Sequence, residues 1–254
     1  MKLAAVQFRP PKGRPDLARE SLAARIREAG EGGVDLIVCP EMATTGYIWQ
    51  SPEALEPHAE PARGPTLKML SGLAREVHSW IVCGFAERSG DSYYNAALVV
   101  DPWGDLICCY RKVLLYSADM PWAQPGTERM TCETRFGRLA PAICMDLNDD
   151  GLIRFLKRSQ SEVFAFCTNW VDEDSDVHSY WRWRLAGWQG WTVAANTWGE
   201  DEGTRFSGGS AIIAPSGAVV ASAPKVGDRV IKVDTETLTP QDLAAPPPSE
   251  FWAW

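Results

Sequence analysis

A single cysteine closes the apolar run Leu139-Ala140-Pro141-Ala142-Ile143-Cys144, and Met145-Asp146-Leu147-Asn148 follow at once as residues able to start a helix. A thiol at such a strand-to-helix turn is presented to a substrate, and the next backbone N–H, that of Met145, is left to face a developing oxyanion. Two other apolar runs each end on one charge. Asp35-Leu36-Ile37-Val38-Cys39-Pro40-Glu41 delivers a carboxylate where Pro40 stops strand pairing. Leu106-Ile107-Cys108-Cys109-Tyr110-Arg111-Lys112 ends in a cation. Taken singly, each reads equally as ordinary structure: a buried inert thiol, or a solvated charge at a strand end. Together they offer a base, an ammonium and a nucleophile. Each leaves the carboxyl end of its own strand, the edge where open α/β sheets gather their active sites.

The elements that must carry these groups alternate along the chain. Residues 2–8 read as a strand, 16–29 as an amphipathic helix closed by glycines, and 34–39 as a second strand. A Pro-rich stretch over 52–65 reads as a surface loop, followed by a helix over 66–77 and a strand over 80–85. Turn chemistry at Asp101-Pro102-Trp103-Gly104 joins strands 95–100 and 105–110 into a hairpin. After Cys144 come a helix over 149–158, a strand over 163–167, a helix over 178–188 and a strand over 192–196. A second hairpin runs from 210–213 through Pro215-Ser216-Gly217 to 218–222. The likeness of the two hairpins predicts two similar halves packed sheet on sheet. No linker divides them, so residues 1–254 form one domain with 244–254 as a tail.

Composition narrows the partners. A formal charge of −8 disfavours nucleic acid and anionic membrane, which both call for a basic surface. The first residues are broken too soon by Gln7, Arg9, Pro10 and Pro11 for a signal peptide, and no apolar run approaches the roughly 20 residues that span a bilayer. Seven cysteines without paired spacing fit a reducing cytoplasm better than a disulfide framework. The three histidines, His58, His78 and His178, form no metal motif, so zinc is not expected. Trp181, Trp183, Trp188 and Trp191 crowd one predicted helix and its exit. Ordinary core packing accounts for such a cluster, and so does an interface between subunits. With Phe251, Trp252 and Trp254 in the Pro-rich tail, they predict a homo-oligomer.

The three run-ending motifs resemble those of the nitrilase superfamily of carbon–nitrogen hydrolases, whose triad is Glu-Lys-Cys. Pro40-Glu41 with Thr45-Gly46-Tyr47, Tyr110-Arg111-Lys112 and Ile143-Cys144-Met145-Asp146 match in order and spacing. Asn169-Trp170, Ala194-Ala195-Asn196 and Phe206-Ser207-Gly208-Gly209-Ser210 extend the similarity over residues 2–233. The resemblance implies an α/β fold, a four-layer α-β-β-α sandwich, and a thiol amidase. In that chemistry Glu41 takes the Cys144 proton, the thiolate attacks an amide carbonyl, and Lys112 with the Met145 N–H holds the oxyanion. Glu41 then protonates the leaving ammonia and activates water against the thioester, with no cofactor required.

Two positions depart from the family pattern. Relatives carry a second glutamate before a Pro-Gly turn, here Pro125-Gly126, and the residue at that spacing is Asp119. One methylene shorter, it reaches Lys112 only if the backbone shifts inward or a water intervenes. Gly187 stands where relatives often place another glutamate. Tyr47, Asn169 and Trp170 are expected to wall the pocket. The run Asp172-Glu173-Asp174-Ser175-Asp176 is either a solvated face or an acidic rim that attracts an amine-bearing substrate. Substrates expected are a small-molecule amide or a peptide end, as in N-terminal amidases, to which Met145 after the cysteine is a pointer. N-carbamoyl hydrolysis, ω-amidase activity and a catalytically silent binding module are the alternatives. Nitrile hydrolysis fits less well, because nitrilases usually have longer chains.

Overall fold

The computed structural model describes residues 1–244; the tail aromatics Phe251, Trp252 and Trp254, part of the homo-oligomer expectation, lie outside them. Fourteen strands form two six-stranded sheets and one small hairpin among these residues. The first sheet is built on β1 (Lys2–Gln7), β2 (Leu36–Val38) and β3 (Trp80–Ser89), which run parallel. It continues antiparallel through β4 (Ser92–Val100) and β5 (Leu106–Arg111). The second sheet repeats this plan. Here β7 (Gly137–Ile143), β8 (Val163–Thr168) and β9 (Trp191–Asn196) run parallel, and β12 (Ala211–Ile213) and β13 (Val219–Ser222) continue antiparallel. Each parallel trio is flanked on its other side by one antiparallel strand: β14 (Arg229–Asp234) beside β1, and β6 (Cys132–Thr134) beside β7. The two similar halves expected from the hairpins are therefore present.

Strand alternation explains the layers. In β1, Leu3 and Ala5 face the second sheet, whereas Ala4 and Val6 face α1 (Pro15–Gly30) and α3 (Pro65–Val77). Both faces are buried, so the strands read as unbroken apolar runs. On the second sheet Phe164 and Phe166 share a cluster with Leu152 and Leu156 of α4 (Asp150–Arg158) and with Trp181 of α5 (Val177–Arg184). The order is helix, sheet, sheet, helix, the α-β-β-α sandwich. Pro141 is tolerated inside β7 because β6 pairs only as far as Leu139.

Several expectations change in detail. The 52–65 stretch contains a short helix, α2 (Pro52–Leu55), and buries Leu55 and Glu60, so it is not merely surface. β3 and β4 extend into a hairpin around Gly90-Asp91, whose φ of +61° at Gly90 favours glycine. The helix expected over 178–188 stops at Arg184, and the chain turns through Leu185. β6, β14 and the hairpin of β10 (Trp198–Asp201) with β11 (Thr204–Ser207) were not legible as strands, being short or rich in charge. Of the four clustered tryptophans, Trp181 and Trp188 are buried within the chain, Trp191 is part-buried and Trp183 is exposed at 39%. No helix among the described residues is long and apolar enough to cross a membrane.

Candidate active site

Glu41, Lys112 and Cys144 converge where β2, β5 and β7 end. Glu41 follows β2 on a turn whose backbone is pinned by Gly84, whose N–H donates to the Pro40 carbonyl at 3.0 Å. A Cβ on Gly84 would lie 2.5 Å from the Glu41 Cα, so a glycine is required there for the carboxylate to sit where it does. Lys112 follows β5 directly. Its N–H donates to the Asn95 carbonyl at 2.9 Å, and its carbonyl accepts from the Gly126 N–H at 2.7 Å. Cys144 follows β7 with a φ of +42°, a left-handed conformation unusual for a non-glycine residue. It opens a 3₁₀ turn, Cys144–Asn148, whose first N–H groups have no carbonyl one turn back. Met145 supplies one of these.

The charges form one buried chain. Lys112 Nζ donates to Glu41 Oε1 at 2.8 Å and to Asp119 Oδ2 at 2.7 Å, and all three side chains are fully buried. Asp119 therefore reaches the ammonium directly, with no water between. The tight turn from Tyr116 to Ala123 brings its backbone inward, and Oδ2 also accepts the Tyr116 N–H at 2.9 Å. Burial opposes the Lys112 charge, but the Asp119 and Glu41 carboxylates outweigh it and hold its pKa well above the ordinary lysine value. Burial pushes the Glu41 carboxyl up, Lys112 pulls it back, Asp119 raises it again, and the net shift is upward. Burial and the Glu41 charge likewise push the Cys144 thiol up, against Lys112, the Thr168 hydroxyl and the Asn169 N–H. Burial thus disfavours the charged form of both the Cys144 thiol and the Glu41 carboxyl.

Asn95 is a residue that sequence reasoning missed. It is buried in β4, and its Nδ2 donates to Glu41 Oε1 at 2.6 Å and to Asp119 Oδ1 at 2.9 Å. It thereby ties together the two carboxylates that flank Lys112. A polar amide opening the otherwise apolar run Asn95-Ala96-Ala97-Leu98-Val99-Val100 was the available signal. Asp146 belongs to the matched cysteine motif, but its role was not assigned from the sequence. Its carboxylate accepts from the Tyr110 hydroxyl at 2.6 Å, the Ile143 N–H at 2.9 Å, the Val113 N–H at 3.0 Å and the Leu114 N–H at 2.8 Å. These donors flank both Lys112 and Cys144, so one side chain clamps the end of the first sheet to the cysteine turn.

The expected wall residues fall into place unequally. The Asn169 N–H donates to Glu41 Oε2 at 2.7 Å. The Tyr47 ring lies over Lys112, its hydroxyl 3.5 Å from Nζ. Trp170 packs on Phe166, Tyr180 and Trp181. A pocket of about 180 Å³ opens on Cys144, Met145, Asn169 and Trp170, with Tyr116, Asn148 and Tyr180 beside them. Of the run 172–176, Glu173 and Ser175 line it, and Glu173 is the one acidic residue among them. Asp176 instead caps α5 through the His178 N–H at 3.2 Å, and Asp174 pairs with Arg205 at 3.5 Å. Gly187 lies in the turn after α5, with a φ of +78°, and does not line this pocket. No group of three or more His, Cys, Asp or Glu among the described residues could hold a metal ion.

A thiol, a carboxylate and an ammonium gathered at the strand ends of such a sandwich form the kind of site that opens an acyl bond by a cysteine route. The chain belongs to the carbon–nitrogen hydrolase family, whose model matches residues 2–240. It is a hydrolase acting on carbon–nitrogen bonds other than peptide bonds. It is 31% identical over 232 residues to a nitrilase of Pyrococcus abyssi, covering 91% of this chain and 87% of that protein. That relative is of comparable length, so chain length does not separate amide from nitrile chemistry here. It is 24% identical over 259 residues to the protein N-terminal amidase of Schizosaccharomyces pombe, covering 84% of this chain and 91% of the other. Its fold superposes on an amidase of Nesterenkonia sp. AN1 that carries acrylamide added at the active-site cysteine. There the TM-score is 0.80 and identity is 19%, with 92% of each chain covered.

Proposed function

We propose that this protein hydrolyses a carboxamide of a small molecule or of a peptide's terminal residue through a Cys144 thioester, releasing ammonia. The observation that carries the reading is the buried Glu41–Lys112–Asp119 chain beside a thiol that opens on a small pocket. Glu41 accepts the Cys144 proton as sulfur attacks the amide carbon. The new oxyanion is held by the Lys112 ammonium and the Met145 N–H, where loss of one such donor typically costs about 3 kcal/mol of barrier. Glu41 next protonates the departing ammonia. Water then enters, Glu41 removes its proton, and the thioester is hydrolysed with return of the thiol. Asp119 and Asn95 are positioning residues: they hold Lys112 and Glu41 in register without touching the substrate.

A pocket of about 180 Å³ is smaller than the roughly 300–1,000 Å³ typical of drug-sized ligands, which favours a short acyl group. Glu173 on the pocket wall favours substrates with an ammonium near the scissile amide, in line with the N-terminal amidase of S. pombe as a relative. The deciding assay is ammonia release over a panel of aliphatic amides, N-carbamoyl amines, α-keto acid ω-amides, nitriles, and Asn- or Gln-headed peptides. Turnover confined to the nitriles or carbamoyl compounds would replace this reading. We assign the chain to a homo-oligomer as part of the same proposal, with Trp183 on the contact surface. A light-scattering mass near 28 kDa at micromolar concentration would refute that part.

A further inference from the structure

Two thiols outside the Glu41–Lys112–Cys144 cluster have been brought together by the fold. Cys108 Sγ and Cys132 Sγ lie 3.1 Å apart, although 24 residues separate them in sequence. Cys108 belongs to β5, the outer strand of the first sheet, and Cys132 to β6, the outer strand of the second. Both side chains point into the layer between the sheets, where Cys132 is buried and Cys108 packs partly buried against the same apolar cluster. Cys109, the next residue, faces the other side of β5 toward Glu87. Cys39, Cys83 and Cys167 are fully buried and closed to any reagent. The Cys108–Cys132 pair is distinct in combining mutual contact with one partner that solvent reaches.

We propose that Cys108 and Cys132 are a modification site that closes to a reversible disulfide stapling the two sheets at their shared edge. The segment so enclosed contains Lys112, Tyr116 and Asp119. Disulfide exchange with an oxidised low-molecular-weight thiol supplies the oxidant. The Cys108 thiolate attacks one sulfur of oxidised glutathione and expels one glutathione thiolate. The Cys132 thiolate then attacks the mixed disulfide at Cys108 and expels the glutathione bound there. The protein loses two thiol protons and two electrons. One glutathione disulfide gains both electrons and leaves as two glutathione thiols. Tethering two edge strands constrains the unfolded chain and leaves the folded contacts in place.

The test exposes the native full-length protein to oxidised glutathione, followed by intact mass, peptide mapping and thermal unfolding. The expected product is lighter by two hydrogens and yields one cross-linked peptide pair joining Cys108 to Cys132. Its Tm rises by roughly 5–10 °C, as expected for closing a loop of this length, and dithiothreitol reverses the change. Cys132→Ser should instead retain glutathione on Cys108 and show no such rise. Mapping of the wild-type protein alone decides the matter if a variant folds poorly. Glutathione that remains on Cys108, a link from Cys108 to Cys109, or an unchanged mass after prolonged exposure would each overturn the proposal.

Discussion

Asp119 Oδ2 lies 2.7 Å from the Lys112 ammonium and accepts the Tyr116 N–H through the same oxygen. The shorter acid is thus built into the turn that carries it, so a longer side chain has nowhere to go. Asp119→Glu, which restores the residue type usual in the family, is expected to overpack this fully buried site. It should cost about 1–3 kcal/mol of stability and lower kcat. Asp119→Asn should lower kcat with KM little changed, because it alters the hold on Lys112 and leaves the pocket lining alone. Urea unfolding and steady-state kinetics on the two variants check both statements, and a change in KM alone would show that Asp119 contacts substrate.

Asp146→Asn should damage the site from behind. The carboxylate accepts four hydrogen bonds, and an amide cannot accept them all because half of it is a donor. We expect a stability loss of about 3 kcal/mol, as for breaking a buried charged network, with kcat reduced at least tenfold. Tyr110→Phe removes one of the four bonds and should cost about 1 kcal/mol with activity largely kept. Equal effects of the two substitutions would contradict the clamp.

Cys144→Ala should abolish turnover with the fold intact, since it removes the nucleophile but only one small side chain from the core. Lys112→Met should be nearly as severe through loss of the oxyanion's charged donor. Matching circular dichroism with activity within tenfold of wild type in the Cys144→Ala protein would exclude the thioester route.

The pH dependence follows from the charges. In the proposed mechanism Glu41 must be ionised to receive the thiol proton, and its pKa is raised by burial. The acid limb of kcat/KM should therefore fall above the usual glutamate value of about 4.3. The Lys112 pKa is raised in the folded protein, so its pairing contributes stability in full below the unfolded value of about 10.4 and loses it as pH rises through the folded pKa. Urea unfolding should show an alkaline decline that Lys112→Met removes. A decline unchanged in that variant would assign the alkaline loss to other groups.

The acidic run should divide by residue. Glu173→Gln is expected to raise KM for ammonium-bearing amides by up to about fivefold at low salt, as for one exposed charge pair, and the effect should shrink as salt rises. Asp174→Asn should leave KM unchanged. Asp176→Ala should cost about 1 kcal/mol of stability through loss of the α5 cap, again without effect on KM. If acetylated and free-amine substrates are hydrolysed equally well, Glu173 plays no part in recognition.

The strands that end on Glu41, Lys112 and Cys144 were legible before any fold was known, because apolar runs stopped by Pro40, by Lys112 and by the Cys144 turn are local patterns. So was the sandwich, because two halves with the same order of elements must bury the same kinds of faces. What lies beside those ends came from the packing of the two sheets. Asn95 bridges Glu41 and Asp119, and Asp146 joins the Tyr110 strand to the cysteine turn, across 54 and 36 residues at their longest spans. Such contacts are set by sheet order and register, which no local spacing encodes. The same holds for Cys108 and Cys132, unpaired by spacing yet neighbours at the edge of the sandwich. It holds also for the acidic run, whose members face a pocket, a helix end and an arginine because the backbone turns between them.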